Sequence, residues 1–546
     1  MTNLDIKKII EVLNKDYMPD IIDTEIYSKI ALWRQWYSGH VKEFHKYMQY
    51  INKKKISRKR YGLKIAPKIC QDWATILCNN KAQLIIDDDY SNNFVQGNDE
   101  MVGIFGDNDF WTQANQLVEK AFALGTAATD IYFENMKITA DGLAIKSPDI
   151  RPRISYIVAD SIIPISWDNG IINEVAFASE VTKDGAKYVY VRMHRLIETG
   201  YEITNAYYKG DKDGSLTEVE LPEGMLKVFN TGSFVKLFSI WKPNKVNTFD
   251  LDSPLGMSIF SDAIDNLEGI DYAYDNLCQD FFLGGKMVFM NGTMFDEDNT
   301  APAYSQDSLF RVMGDAVLEG GAAYHEYNPL LRVQENKDGI QAQLDYLSLM
   351  VGFGTKHYQF NAGTITTATQ YTGDKQDLIQ NASKHNMVVE RALTDIVKAL
   401  LWVGDELMGL PVKQDAKITF IPDQSYIIDE ESERLFDLQL VRDGLMAKWE
   451  WRVKYKGETE EEARAKIDEI ESGGGIDLFG DNKDAFSTSN STSSTVEKLN
   501  GAQTQSLIAI MAQFASKSIT EGQAINLIST ALGIEKDKAT EILKGV

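Results

Sequence analysis

What this 546-residue chain lacks narrows its chemistry before any motif is read. No Gly-x-x-x-x-Gly-Lys-Ser/Thr loop occurs, so no segment is shaped to cradle a nucleoside triphosphate, and the chain is not a P-loop motor. Cysteine is scarce. Cys70, Cys78 and Cys278 are odd in number and have no ligand spacing, which excludes a disulfide framework or a zinc site and suits a reducing compartment. Cys70 and Cys78 are eight apart on one apolar helix face and read as buried thiols. The six histidines, at 40, 45, 194, 325, 357 and 385, form no His-Glu-x-x-His helix. His40 and His45 are five apart and do not share a helix face, and nothing local sets an acid and a nucleophile beside His325 or His357. The expectation is no enzyme, no cofactor and no metal. No apolar run approaches the ~20 residues that span a bilayer, so no membrane partner is expected. The opening MTNLDIKKIIEVLNKD is charged throughout and has no signal-peptide core. The expectation is a protein that stays where it is made or is carried elsewhere by assembly.

Positive charge is also in deficit. Lys and Arg number 56 against 80 Asp and Glu, a net charge of −24. Such a surface repels DNA phosphates and argues against tight, ordinary DNA binding. It is compatible with a conduit, where tight phosphate contact would stall sliding. At 44% hydrophobic the chain is globular and long enough for several cores.

The most informative stretch is Gly256 to Leu283. Ile259, Ala263, Leu267, Ile270, Tyr274, Leu277 and Phe281 keep three- and four-residue steps, the stripe of one long helix of 28 residues, ~42 Å. Asp262, Asp265, Glu268, Asp271, Asp275 and Asp280 fall on the rest of the circumference. No Lys or Arg appears before Lys286. By itself this is the solvated face of an acidic protein, or a wall that must not stick to an anion.

Around it the pattern changes several times. Residues 1 to about 50 read as helices with Trp33, Trp36, Tyr37, Phe44 and Tyr47 on apolar spacings. Lys53, Lys54, Lys55, Arg58, Lys59 and Arg60 make the one strongly basic run, a solvated loop, a DNA contact or a contact to an acidic neighbour. Ala66 to Ile86 reads as a helix ending at Asp87-Asp88-Asp89, a turn because no partner ligands follow. Asp109 to Leu124 is a helix closed by Gly125. From Thr126 to Trp241 alternation predicts strands at 131–133, 175–178, 188–191, 206–208 and 235–238. Asp141-Gly142, Asp184-Gly185 and Asp213-Gly214 serve as turns between them. Residues 286 to 333 alternate short strands with a helix near 308–313. A second helix is expected over Gly339 to Phe360 and a long one over Asp374 to Met408. A strand is expected at 417–428, then helices at 431–442 and 458–470. Residues 471–499 are a Gly/Ser/Thr-rich linker, and amphipathic helices return in 500–546.

Several segments, in order, carry a family resemblance. Pro254-Leu255-Gly256-Met257-Ser258, with Ala263 to Leu267 and Ile270-Asp271, resembles the start of the stem helix of tailed-bacteriophage portal proteins, most like those from phages of Gram-positive hosts. Trp33 to Gly39 is similar to their "W…YxG" element. Lys68 to Lys81 is similar to their "AK…WA.LL.NEK" helix, with Asn80 where Glu is usual. Ala121 to Ala128 resembles the helix-to-turn before their sheet. Thr366 to Gln370 resembles their "TATE", with Gln370 replacing Glu. Asp443 to Glu450 and Glu460 to Ala463 resemble their "GLMSK…EEEA" tail. The resemblance runs from about Trp33 to about Ile470.

The resemblance implies an α+β fold: a portal-type multidomain ring subunit with a mainly helical stem and crown, an α+β wing and a small αβ clip. Its parts would be wing 1–255, stem helix 256–285, clip 286–333, second stem helix 334–360, tunnel loop 361–373, long helix and wing strand 374–429 and crown-side helices 430–470, with the linker 471–499 and a C-terminal helical module 500–546, read from composition and spacing, beyond it. It implies a dodecameric ring at one capsid vertex in the virion, assembled in the host cytoplasm, that channels double-stranded DNA in packaging and ejection. Partners would be copies of itself, terminase, major capsid and scaffolding proteins, and a head-completion or tail adaptor protein. Asp262, Asp265, Glu268, Asp271 and Asp275 would line the channel. Thr364, Thr366, Thr367, Thr369 and Gln370 of the tunnel loop would touch DNA weakly. The rival is a monomeric nucleic-acid-binding or processing protein anchored by the basic run 53–60, which would bind DNA tightly and with strong salt dependence.

Overall fold

The computed structural model describes residues 3–16, 24–51, 54–79, 81–139, 141–210, 215–291, 310–313, 324–355, 357–359, 375–423, 430–442, 444–472, 520–532, 536 and 540. The fold is α+β, in two compact units, Met1–Phe436 and Asp437–Val546.

In the first unit, α1 (Asn3–Asp16), α2 (Glu25–Tyr37) and the single turn α3 (Lys42–His45) lead into a hairpin of β1 (Lys46–Ile51) and β2 (Lys54–Lys59). The sequence reading had no hairpin here. Phe44 and Tyr47 also fit helical spacing, which is why helices are expected to about residue 50 in place of this hairpin. α4 (Ile65–Leu77) is shorter than expected. Its supposed last turns are β3 (Gln83–Ile86), drawn into a strand by pairing with β16 (Ile418–Ile421). Asp88 caps α5 (Asp89–Gln96), accepting from Ser91 N at 3.0 Å, and pairs with Lys413 at 2.6 Å. The aspartate triplet is therefore a cap and turn.

After α6 (Gly103–Asp107), α7 (Phe110–Leu124) packs on α4 and α2 and ends at Gly125, as its sequence predicts. Beyond it stand two antiparallel sheets. One is β12 (Phe238–Trp241), β4 (Ala127–Glu134) and β5 (Arg151–Val158) in that order. The other runs β10 (Leu216–Val219), β9 (Gly200–Gly210), β8 (Ala186–Ile197), β7 (Ile171–Lys183), β6 (Ile162–Asp168), with β11 (Val228–Asn230) also on β9. Asp184 and Gly185 both take positive φ, +54° and +76°, the two-residue hairpin turn expected. Asn169 and Gly170 do the same between β6 and β7 and were not anticipated. Asp213-Gly214 lies outside the described residues. Of the strand expected at 235–238, only Phe238 is in β12.

α8 (Ile264–Leu283) and α9 (Val333–Met350) form an antiparallel helical hairpin. Between them is a sheet of β14 (Phe310–Met313), β13 (Met287–Asn291) and β15 (Tyr324–Tyr327), with β13/β14 parallel and β13/β15 antiparallel. α10 (Gln376–Trp402) then runs into a π-turn at Val403–Leu407. The tunnel-loop residues Thr364, Thr366, Thr367, Thr369 and Gln370 lie outside the described residues, as do Lys53 and the linker from 473.

A further helix, α11 (Glu430–Arg442), runs into the second unit, which also holds α12 (Lys448–Lys456), α13 (Glu460–Ser472) and α14 (Glu521–Leu532). α12 went unread because it buries no residue and so shows no stripe. It is held by polar contacts instead. Ala447 N donates to Glu450 Oε2 at 2.9 Å, Lys454 pairs with Asp437 at 2.7 Å, and Arg452 grips Glu458 through two bonds of 2.8 and 2.9 Å. Arg452 and Lys466 hold the Glu458 carboxyl down at about 2.

Candidate functional site

The projecting hairpin α8–α9 begins at a tight backbone crossing. The eight residues before α8, Ser253 to Phe260, are all buried. They do not extend the helix as the apolar spacing suggested, because they are irregular chain threaded past the end of α7 that reaches α8 through a 3-10 turn at Ser261–Ala263. Gly256 N donates to Thr126 Oγ1 at 2.9 Å, and Ile259 N donates to Phe122 O at 2.9 Å. A Cβ on Gly125 would sit 2.4 Å from Gly256 O, and one on Gly256 would sit 2.3 Å from Gly125 O. Only glycine fits both sides. The helix therefore starts at Ile264 and spans 20 residues, ~30 Å instead of ~42 Å. α9 likewise starts earlier and ends sooner than its expected span of 339–360.

Along α8 the stripe fades as the helix leaves the core. Ile259, Ala263, Leu267 and Ile270 are buried, Tyr274 and Leu277 partly so, while Phe281 is 53% and Phe282 74% exposed. At the far end Asp280 accepts from Asn336 Nδ2 at 2.7 Å and from Arg332 at 3.1 Å, which ties the two helices together. These two partners hold its carboxyl below the ordinary range.

The acids divide into unlike groups, which corrects the expectation of one continuous anionic face. Asp262 pairs with Lys245 Nζ at 2.9 Å. Asp271 is 4% and Asp275 7% exposed. Both serve the chain that follows the β1–β2 hairpin. Leu63 N donates to Asp271 Oδ1 at 2.7 Å, and Tyr61 N donates to Asp275 Oδ1 at 3.0 Å. Asp271 Oδ2 lies 3.0 Å from His45 Nε2. His45 Nδ1 accepts from Val41 N at 2.9 Å, so the proton toward Asp271 is on Nε2. Burial pushes the Asp271 carboxyl up, against the opposing pull of Leu63 N and His45. Carboxylates so enclosed have no free face for a channel. Asp265 is exposed and Glu268 half-buried.

The basic run also divides. Lys54 to Lys59 form β2, with Lys46 directly opposite Lys59. Arg60 does not point outward as a free anchor. Its guanidinium stacks 4.2 Å from the Phe44 ring centre and 4.1 Å from that of Tyr272, and Nη1 donates to Phe44 O.

Of the other segments that carry the resemblance, those around Trp33–Gly39 and Lys68–Lys81 pack into the core. Trp73 on α4 is fully buried, donates Nε1 to Val351 O at 3.1 Å and stacks on Phe353 at 4.7 Å. Tyr37 donates to Glu119 at 2.6 Å. Cys70 and Cys78 are buried, as expected, and burial raises both thiols. Sequence reasoning missed a cross-sheet cluster: His194 on β8 contacts Asp130 on β4 at 2.9 Å, and Arg192 lies 3.3 Å from the other Asp130 oxygen. Burial lowers His194 despite its aspartate, and the cluster mortises the two sheets together. Asp130 and His194 are 64 residues apart, with no local signal. Among the described residues no group of three or more His, Cys, Asp or Glu could hold a metal, and no helix is long and apolar enough to cross a membrane.

A chain whose distinctive segments serve a backbone crossing and a projecting helical hairpin is an architectural one. It belongs to the phage portal protein family of the SPP1 Gp6-like type, which matches residues 20–470. That family is structural, not enzymatic. No curated protein is similar enough to add to this assignment. One solved structure, described as the neck of a native GTA particle computed with C12 symmetry, is similar at 12% identity, covering 71% of this chain and 88% of that one, with a TM-score of 0.32.

Proposed function

We propose that this chain is the subunit of a ring at one capsid vertex, with an axial channel through which phage DNA enters in packaging and leaves in ejection. The observation that carries the reading is family membership across residues 20–470, joined to a helical hairpin with a small sheet in the connection between its two helices. α8 and α9 would be the stem, the sheet of residues 287–327 the clip that meets terminase and head-completion proteins, and the α+β part before α8 the wing. Twelve copies are proposed, with capsid and scaffolding proteins as further partners. The segment 361–373 is proposed as the tunnel loop. The anionic lining is reduced to Asp265 and Glu268, since Asp271 and Asp275 are enclosed and Asp262 is paired. Energy for DNA movement would come from the motor that docks on the ring.

The rival, a monomer anchored on DNA by residues 53–60, is disfavoured by Arg60, whose guanidinium is committed to aromatic rings of its own chain. Heads assembled with and without this chain test the proposal. Nuclease-protected DNA should accumulate only where the chain is present. Equal filling in its absence would overturn the reading.

A further inference from the structure

The strand face beside α10 gathers positive charge in a chain whose net charge is −24. Lys236, Phe238, Ile240 and Lys242 stand at two-residue steps along β12 and its flanks, so they share one face. Met387, Arg391 and Asp395 stand at four-residue steps on α10, one face of that helix. Between these two faces and the β6–β7 turn at Asn169 and Gly170 lies a cavity of about 420 Å³, within the size range of ligand pockets. Three cations line it against one acid, Asp395, which leaves two positive charges uncompensated. Arg391 Nε comes no nearer to Asp395 than 4.0 Å. Both lysines are half-buried and held by neutral acceptors. Lys236 Nζ donates to Ile172 O at 2.6 Å and to Asn173 Oδ1 at 3.1 Å, and Lys242 Nζ donates to Gly170 O at 3.1 Å and to Pro254 O at 3.0 Å. Such bonds fix the ammonium groups without cancelling their charge, and each ammonium keeps a third N–H to give. Burial pulls both lysines below their ordinary value, and Arg391 adds to the pull.

We propose that this cavity binds a carboxylate carried on an apolar body, supplied by a segment of another protein chain in which Asp or Glu adjoins an apolar residue. The inference goes beyond the ring reading and does not depend on it. Charge selects the carboxylate. An anion set among Lys236, Lys242 and Arg391 would accept from their remaining N–H groups and relieve their mutual repulsion. The walls select the apolar body. Phe238 and Ile240 form the strand side, and on the same cavity Met387 is 66% and Ile171 37% exposed. Lysines that merely staple the β6–β7 turn would need neither these exposed apolar walls nor three cations for one acid. DNA is the less favoured ligand. Phosphates are gripped along an open basic surface, while here the cations share a concave site with aromatic and aliphatic side chains.

Isothermal titration calorimetry of the full-length chain tests it. The probes are an end-blocked peptide of alternating leucine and glutamate, its glutamine counterpart, inorganic phosphate and a short DNA duplex. The glutamate peptide should bind, and the glutamine peptide should bind roughly tenfold more weakly or worse. Lys242→Met should weaken the glutamate peptide by about tenfold or more. Arg391→Gln should weaken it several-fold, and Asp395→Asn, which removes the competing carboxylate, should tighten it. Arg391 is exposed and Asp395→Asn keeps the side chain's shape, so both variants should fold even if Lys242→Met does not. A structural role predicts neither change, least of all the gain. Lys183→Gln, at the far end of β7 roughly 40 Å from Ile171, removes the same charge and should leave binding unchanged. Equal binding of the two peptides, no binding of either, or unchanged binding in both Arg391→Gln and Asp395→Asn would overturn the inference. Phosphate or the duplex binding where the glutamate peptide does not, and losing affinity in Arg391→Gln, would assign the cavity to phosphate and overturn it as well.

Discussion

Replacing Gly125 with alanine should damage this protein far more than the same change at a glycine that stands in open space. Gly125 has φ +87°, a region that costs a residue with a Cβ about 1–2 kcal/mol. Its Cβ would also lie 2.4 Å from the carbonyl oxygen of Gly256, about an ångström inside ordinary contact. The neighbour is backbone, tied by Gly256 N to Thr126 and by Ile259 N to Phe122, so it cannot swing aside. Overpacking of that kind costs about 1–3 kcal/mol. The sum is about 2–5 kcal/mol, a large share of the ~5–15 kcal/mol typical of a folded domain. Two controls separate the contributions. Gly224 has φ +89° with nothing within 4 Å of its Cβ, so Gly224→Ala should lose only the dihedral part, about 1–2 kcal/mol. Gly339 lies inside α9 in open space, so Gly339→Ala should gain up to about 1 kcal/mol of helix propensity. Urea unfolding followed by circular dichroism reads all three. A Gly125→Ala loss no larger than that of Gly224→Ala would refute the crossing argument.

Three further outcomes follow from the same contacts. Asp271→Ala should cost about 2–4 kcal/mol, because Leu63 N–H and His45 Nε2–H would be left buried without an acceptor; amide hydrogen exchange at Leu63 should speed up more than exchange in α7. His385 is pushed down from 6.5 to about 3, chiefly by burial. A depressed histidine favours folding above its unfolded pKa and loses that contribution as pH falls toward the folded value, so about 2 kcal/mol should vanish between pH 7 and pH 5. His385→Phe should flatten that part of a stability-against-pH curve, and an unchanged slope would show that the histidine is not neutral. Asp265→Lys with Glu268→Lys should leave the mass of the assembled ring unchanged and impair DNA filling of heads; normal filling would end the proposal of an anionic lining.

The legible parts of the sequence were those where one element makes its own pattern. α7 with Gly125, the Asp184-Gly185 turn and the strands around it follow from local spacing. The C-terminal limit of α8 at Leu283 was equally plain, since Gly284 and Gly285 follow it. Its start was not. Gly256 to Phe260 reads as part of the helix because Ile259 continues its apolar steps, yet the segment is buried as irregular chain, and periodicity cannot distinguish the two. Residues 83–86 were taken for helix because the pairing with 418–421 that makes them a strand spans more than 330 residues. The acids of α8 look alike in sequence. Only the fold reveals that Asp271 and Asp275 bond the chain after the hairpin, more than 200 residues upstream, while Asp265 stays exposed. The family motifs were read correctly as a set, yet most of them mark the core around Trp73 and the Gly125–Gly256 crossing, not the channel.

The central claim is a ring subunit, and the mass and shape of the purified full-length protein test it most directly. Light scattering with electron-microscope class averages should give a ring with an axial hole, near twelve times 61.5 kDa, about 740 kDa. A 61.5 kDa monomer that grips DNA tightly at physiological salt, and loses that grip when residues 53–60 are neutralised, would contradict it.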